Sequence, residues 1–380
     1  MPMIINRAVF KELLINFLLS LFFFSFVILM DKFLRIAKLS MGKGISPMDI
    51  LMIFLYLQPS LLILIIPMSL LVAILITYGR MTTDSEIVAL KASGMDFFKM
   101  VKPVMAFSLM CLIITLFLSL YLFPKANYNL RLYITDMLSK KIALSLEEDS
   151  FNTAFKGMVV FVKEVDNDGR FKDIFIYDER QRNEKKIIVA KEGRIKPDIE
   201  RGIVELDLTN GAVHIPGEKG FSSGSFSDYK LALRLDSQPI PSKKAAEMGI
   251  GEIIKRAGHL PKSERYPLMV DLNKRFSIPF ACIVFALLGP PLSLMAGKTG
   301  RLGGFSISFL ILLFYYIVMI FGENLSKAGR LNPVVAAWGA NLIFGFIAIY
   351  LFLRASKERP IFMKGLTKRS RIFWGIIGRP

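Results

Sequence analysis

The chain has little of what soluble enzymes use for chemistry. Among 380 residues there are two cysteines and two histidines. Cys111 and Cys282 both fall in apolar runs, so they read as packing residues, not as a disulfide or metal pair. His214 and His259 are far apart and have no ligand-spaced cysteines or carboxylates beside them, which argues against a metal site. A nucleotide loop is missing as well. Gly297-Lys298-Thr299 ends like a phosphate-binding loop, but Leu292 stands where that loop needs its first glycine, and the segment follows an apolar run. Gly220-Phe221-Ser222-Ser223-Gly224 has the letters of a G-x-S-x-G elbow. It lies in Gly/Ser-rich, strand-patterned sequence with only His214 near it as a base, so no hydrolase is expected. Carboxylates are scarce in the apolar runs: Asp31 and Glu323 stand at their ends, which disfavours an ion-coupled transporter. No catalytic residue, metal or cofactor is expected in this chain.

What the chain does have is apolar sequence and positive charge. It is 53% hydrophobic with mean hydropathy +0.48, too apolar for a soluble enzyme of this length. The net charge of +18 would suggest nucleic acid in a soluble domain. Here the cations flank apolar runs, so membrane topology and anionic lipid explain them better, and no nucleic-acid partner is expected. The first apolar run is long and lacks a small-residue cleavage exit, so it reads as a retained anchor.

A span needs about 20 apolar residues. Six runs qualify: Leu13–Met30, Leu51–Ile76 (interrupted by Pro59 and Pro67, which should kink it), Val104–Phe123, Phe276–Leu294, Phe305–Phe321 and Val334–Leu353. Arg7 and Lys11, the loop cations Arg80, Lys91, Lys99 and Lys102, then Lys298 and Arg301, and the basic tail after Arg354 all lie on one side of this topology. Both termini are therefore expected to be cytoplasmic. Lys32, Arg35, Lys38 and Lys43 break the rule on the outer side. The first three recur every three residues and share one broad face of a continuing helix. They read either as interfacial cations that snorkel or as a site for anionic head groups.

Between the third and fourth spans the pattern changes. Met158–Val165, Phe171–Tyr177, Lys186–Ala190, Ile203–Leu208, Ala212–Ile215 and Phe226–Leu235 read as short strands, with a turn at Asp166–Gly169 and breaks at Gly193, Gly202 and Gly211. This predicts an extracytoplasmic all-β module of sandwich, jelly-roll or open-barrel type. On the opposite face, Thr83 and Glu86 have capping-box spacing, and Gly94 could end a short helix over about 82–94. Such a helix suits a surface for a motor to push on, or a plain connector.

At this loop the chain resembles the LptF/LptG family, the paired membrane subunits of the lipopolysaccharide export ABC transporter. Ser85-Glu86-Ile87 and Ala92-Ser93-Gly94 are similar to that family's coupling helix. Pro291-Leu292-Ser293 followed by Gly300-Arg301, and Gly329-x-Leu331-x-Pro333 with Trp338 and Asn341, resemble its later spans; Lys32 and Arg35 lean towards LptF. The resemblance implies an α-helical membrane protein with six transmembrane helices and an extracytoplasmic all-β, jelly-roll-like domain inserted between helices 3 and 4. The implied organisation is 1–124 (spans 1–3 with the coupling helix), 125–267 (periplasmic domain and connectors), 268–354 (spans 4–6) and 355–380 (basic cytoplasmic tail). It implies a non-catalytic permease subunit in the inner membrane of a Gram-negative bacterium, extracting lipopolysaccharide from the outer leaflet and passing it through the β domain. The implied partners are an LptG-like sister subunit, an LptB-like ATPase dimer that binds ATP and Mg, and an LptC-like periplasmic protein. Ser85, Glu86, Ile87, Ala92 and Gly94 would couple to the ATPase, and Lys32, Arg35 and Lys38 would hold lipid phosphates. The competing reading is a membrane-anchored scaffold whose β domain only docks periplasmic partners.

Overall fold

Long apolar stretches without water to satisfy their backbone fold as helices, because a helix closes its hydrogen bonds internally. The computed structural model describes residues 2–40, 46–145, 149–152, 157–165, 170–180, 185–198, 203–217, 220–233, 245–295 and 300–357. The turn at Asp166–Gly169, Gly202, Lys43, Gly297-Lys298-Thr299 and the basic tail beyond Lys357 lie outside the described residues. Six helices are long and apolar enough to cross a membrane, and an all-β domain lies between the third and fourth, as the sequence predicts. They are α1 (Pro2–Ser40), α2 (Pro47–Thr83), α4 (Phe97–Phe117) running on into α5 (Phe123–Ser145), α7 (Lys262–Met295), α8 (Gly300–Lys327) and α9 (Pro333–Ser356). Two short helices, α3 (Glu86–Ala92) and α6 (Ile250–Gly258), complete the set among the described residues.

The helices outrun the apolar runs that announce them. α2 starts at a reciprocal cap in which Met48 N donates to Ser46 Oγ and Ser46 N donates to Asp49 Oδ2, and it passes through Pro59 and Pro67 without ending. The third span does not stop at Phe123. One π turn, Leu118–Leu122, joins α4 to α5, with Phe123 N donating to the Leu118 carbonyl. Pro124 follows at once; a proline has no N–H for the preceding turn and crowds the carbonyl four residues back, and a widened turn relieves this.

The chain divides into two compact units. One holds residues 1–50, 57–124 and 249–380, the other 51–56 and 125–248. The helical unit packs around Phe107, whose ring meets Phe10 and Phe17 edge-on at 5.2 and 5.3 Å. α7 packs along α9, with the Phe280 and Trp338 rings 5.4 Å apart, and both helices carry small buried residues (Ala281 and Ala286; Ala336, Ala337 and Ala340), a composition that lets helices approach closely where lipid removes the hydrophobic drive. A buried polar chain ties three helices together. Tyr315 Oη donates to Asn341 Oδ1 at 2.7 Å, and Asn341 Nδ2 donates to the Ser277 carbonyl at 2.5 Å. Gly329, at φ +75°, ends the turn before α9, and Asn332 caps that helix through Val334 N.

The β unit is one antiparallel sheet of β1 (Ser150–Asn152), β2 (Met158–Val165), β3 (Arg170–Asp178), β4 (Lys186–Asp198), β5 (Ile203–Gly217) and β6 (Gly220–Leu233), each next to its neighbour in sequence. The register skips one level, at Lys163, Asp173, Lys191, Asn210 and Ser227. At that level Asp173 and Asn210 have φ of +51° and +54°. On β3 the buried positions go from Phe171 to Ile174 and Ile176; on β4 they go from Ile188 and Ala190 to Gly193. A step of three would send side chains to the wrong face of a regular strand. Here the left-handed residues turn the strands over, so both halves feed one core. Gly193 and Gly211 are therefore not strand breaks, contrary to the reading from sequence. They lie inside β4 and β5, where any Cβ would collide with Ile174 Cδ1 and Leu208 Cδ2, or with the Val189 carbonyl and the Phe226 ring. Ile203–Leu208 and Ala212–Ile215 are consequently one strand. At the end of β3, Arg180 grips Asp178 with Nε to Oδ1 at 2.8 Å and Nη2 to Oδ2 at 2.6 Å. Burial pushes the Asp178 carboxyl up, but the hydrogen bonds and charge of Arg180 outweigh it and hold the group below the usual carboxylate range.

Candidate functional site

The α2–α3–α4 connection is built to present a small helix. α2 ends at Thr83, and Asp84 N donates back to the Arg80 carbonyl. Ser85 then takes a left-handed conformation, φ +60°, and α3 starts at Glu86. The predicted capping box is absent. Thr83 Oγ1 donates to the Gly79 carbonyl, and Ser85 makes no side-chain cap. Glu86 turns instead towards Arg80, whose Nη1 donates to its Oε1 at 2.6 Å. The helix is also shorter than the predicted 82–94, because α2 consumes its first residues and α3 ends at Ala92. Gly94 does close it: at φ +80° its N–H reaches the Lys91 carbonyl, and Met95 N reaches that of Leu90, a glycine C-terminal turn of Schellman type.

Of the residues singled out here, Ile87 is buried against the helical core, whereas Ser85, Ala92 and Gly94 are exposed and Glu86 is half-buried. Val88 is 65% exposed beside them. The sequence gives no reason to select Val88 within an apolar run, yet it is the apolar side chain that α3 offers outward. Tyr78 fixes the base of the loop, its hydroxyl donating to the Met100 carbonyl at 2.6 Å.

Arg80 is the centre of this end of the helical unit. Its Nε and Nη2 reach Glu12 of α1 at 2.6 and 2.7 Å, and its Nη1 reaches Asp84 at 2.8 Å and Glu86 at 2.6 Å. From sequence Arg80 reads only as a topological cation. Its spacing to Asp84 signals a helical pair, but nothing local signals Glu12, 68 residues away.

At the other end of the unit, α1 continues as helix beyond Lys32 to Ser40. Lys32, Arg35 and Lys38 therefore share the broad helical face that their spacing predicts. Lys32 is half-exposed, and the side chains of Arg35 and Lys38 lie outside the described residues. α7 and α8 contribute a second polar group that the sequence reading missed. Glu323 accepts from Lys274 at 2.7 Å and from Lys327 at 2.6 Å. It was missed because α7 begins at Lys262, well before the apolar run at Phe276. The Gly220–Gly224 run lies within β6, on a strand and not at a strand-to-helix turn.

The family described as lipopolysaccharide export system permease LptF/LptG matches residues 7–354. The chain is 24% identical to the lipopolysaccharide export system permease protein LptF of Escherichia coli (strain K12) over 357 residues, covering 92% of this chain and 95% of that protein. The same identity and coverage hold for the LptF of Shigella flexneri. An uncharacterised protein of Rickettsia prowazekii (strain Madrid E) is 21% identical over 251 residues, 65% of this chain and 69% of that one.

Proposed function

Because the chain belongs to the LptF/LptG family of lipopolysaccharide export system permeases, an inner-membrane, multi-pass family, we propose that it is the LptF-like half of an ATP-driven exporter. In this reading it pairs with an LptG-like sister and sits on an LptB-like ATPase dimer that binds ATP and Mg. It hands lipopolysaccharide to an LptC-like periplasmic protein. Both termini and α3 face the cytoplasm, and the β unit is periplasmic. Lys32, Arg35 and Lys38 hold lipid A phosphates, since clustered cations at a helix end suit that charge. The apolar interior of the bent sheet shields acyl chains.

The observation that carries the reading is α3. A seven-residue helix is too short to be stable alone. It is held by Ile87, Arg80 and the Gly94 turn, and it puts Val88, Ala92 and Glu86 outward. This supports a presented surface over a plain connector. The energetic demand fits a motor. Drawing one acyl chain of about a dozen CH₂ groups into water costs roughly 10 kcal/mol at ~0.8 kcal/mol per group.

The test is co-purification with a sister subunit and a soluble ATPase, followed by ATP-dependent release of lipopolysaccharide from proteoliposomes. The expected result is a stable complex whose release of lipid requires ATP. Periplasmic partners bound without any ATPase, and no ATP-dependent release, would overturn the exporter in favour of a scaffold.

A further inference from the structure

One side chain joins three pieces of the helical unit. The guanidinium of Arg80 is planar and offers its donors in a fixed fork. One edge holds both oxygens of Glu12 on α1, at 2.6 and 2.7 Å, and the remaining nitrogen holds Asp84 and Glu86 at the start of α3. The three carboxylates differ in exposure: Glu12 is 26% exposed, Glu86 43% and Asp84 50%. A basic group arriving from outside therefore meets Glu86 and Asp84 before Glu12.

The apolar contact beside this plate is incomplete. A cavity of about 290 Å³ lies between α1 and α3, lined by Ile5, Ala8, Val9, Met81, Ala89 and Leu90 together with Glu12, Arg80 and Glu86. It is a cleft open to the surface, so α3 is not packed flush against α1 along it, and the ionic plate bridges the two helices at its edge. α1 itself is an unbroken helix from Pro2 to Ser40. At about 1.5 Å per residue, the stretch from Glu12 to Lys32 carries a displacement roughly 30 Å along its axis. α1 is also tied to α2 one turn away, where Asn16 Nδ2 donates to Thr77 Oγ1 at 2.8 Å, but that bond does not touch α3.

We propose that Arg80 is a positioning residue that transmits movement of α3 to α1 through Glu12, so that ATP hydrolysis beneath α3 is converted into lipid movement at the far end of α1. The inference rests on the exporter reading above. A partner cation that pulls on Glu86 while Arg80 still holds it draws the guanidinium along, and Glu12 with it, so the movement of α3 reaches α1.

The experiment uses the full complex of both permease subunits and the ATPase dimer in proteoliposomes containing lipopolysaccharide, and reads lipid released per ATP hydrolysed. Glu12→Gln should keep ATPase association and hydrolysis within about twofold of wild type but lower release per ATP at least fivefold. Glu12→Asp, which keeps the charge on a shorter arm, should recover at least half of the ratio but stay below wild type. Asn16→Ala, which loosens α1 from α2 without touching Arg80, should leave the ratio unchanged. If Glu12→Gln keeps the wild-type ratio, or if Asn16→Ala lowers it equally, the proposal falls. Should Glu12→Gln fail to assemble, a Glu12→Asp ratio below that of Asn16→Ala supports the proposal and an equal ratio overturns it. A wild-type complex that hydrolyses ATP without releasing lipid overturns the exporter reading itself.

Discussion

Two ionic clusters, one at each end of the helical unit, are built on opposite charge ratios. At one end a single cation, Arg80, is shared by Glu12, Asp84 and Glu86. At the other, one carboxylate, Glu323, bridges Lys274 and Lys327, with Asp271 and Arg275 close enough to act on the same group. Each cluster is satisfied internally, yet each keeps an excess of one sign. The acid-rich cluster, set on the side of the chain that is basic overall, sits beside the exposed face of α3 and offers a basic partner Glu86 and Asp84. The cation-rich end lies at the same end of the unit as Lys32 and suits an anionic ligand. An internally balanced pair does neither; Asp178 with Arg180 in the sheet is the example, one charge against one.

Breaking the acid-rich cluster should have the largest effect. Arg80→Glu would gather four carboxylates around no cation, and uncompensated charge at a partly buried site costs about 3 kcal/mol or more. ATPase co-purification should fall by more than tenfold, with a lowered thermal midpoint in detergent. Next, charge reversal at both Lys32 and Arg35 should lower photocrosslinking to lipopolysaccharide roughly tenfold, the scale of one lost charge-assisted contact. Unchanged crosslinking would return them to snorkelling cations. Glu86→Lys should weaken ATPase association about fivefold, because it reverses one of the two outer acids while Asp84 remains; binding at the wild-type level would mean α3 docks through Val88 and its apolar neighbours alone.

The cation-rich end should respond less. Glu323→Gln removes the carboxylate that bridges Lys274 and Lys327 and leaves Asp271 to offset their charge; it should cost about 1–2 kcal/mol, visible as a lower unfolding midpoint that added salt partly restores. The smallest effect belongs to the balanced pair. Asp178 is held below the usual carboxylate range, so it stabilises the folded sheet above about pH 4, the unfolded carboxylate value, and that contribution is lost as pH falls through its depressed folded value. Asp178→Asn should remove about 1 kcal/mol at neutral pH and flatten the acid limb of sheet unfolding monitored by hydrogen exchange.

The parts legible in the sequence are those written in runs and periods. The six spans are visible as apolar length, the insert as a change of period, and the shared face of Lys32, Arg35 and Lys38 as a three-residue recurrence. What was misread depends on partners distant in the chain. Thr83 and Glu86 have the spacing of a capping box, but Arg80 claims Glu86 and Ser85 turns left-handed. Arg80 in turn depends on Glu12, for which no local pattern exists. Gly193 and Gly211 look like strand breaks because glycine is a poor strand former. Their actual role, leaving space for Ile174 and Phe226, is visible only once the strands are paired.

The skipped level in the sheet has a consequence for how such a domain can change over generations. Its turned-over strands agree with one another: Asp173 and Asn210 bend two of them at the same height, and Gly193 and Gly211 make space on the others' behalf. A deletion or insertion beside Asp173 alone would rotate one strand's apolar residues to the outside while its neighbours kept theirs inside. Such a change is tolerable only if adjacent strands acquire a matching one. The bend is therefore inherited jointly, and length variation among descendants of this chain should accumulate in the loops between strands while the spacing from Phe171 to Ile174 and from Leu208 to Gly211 stays fixed.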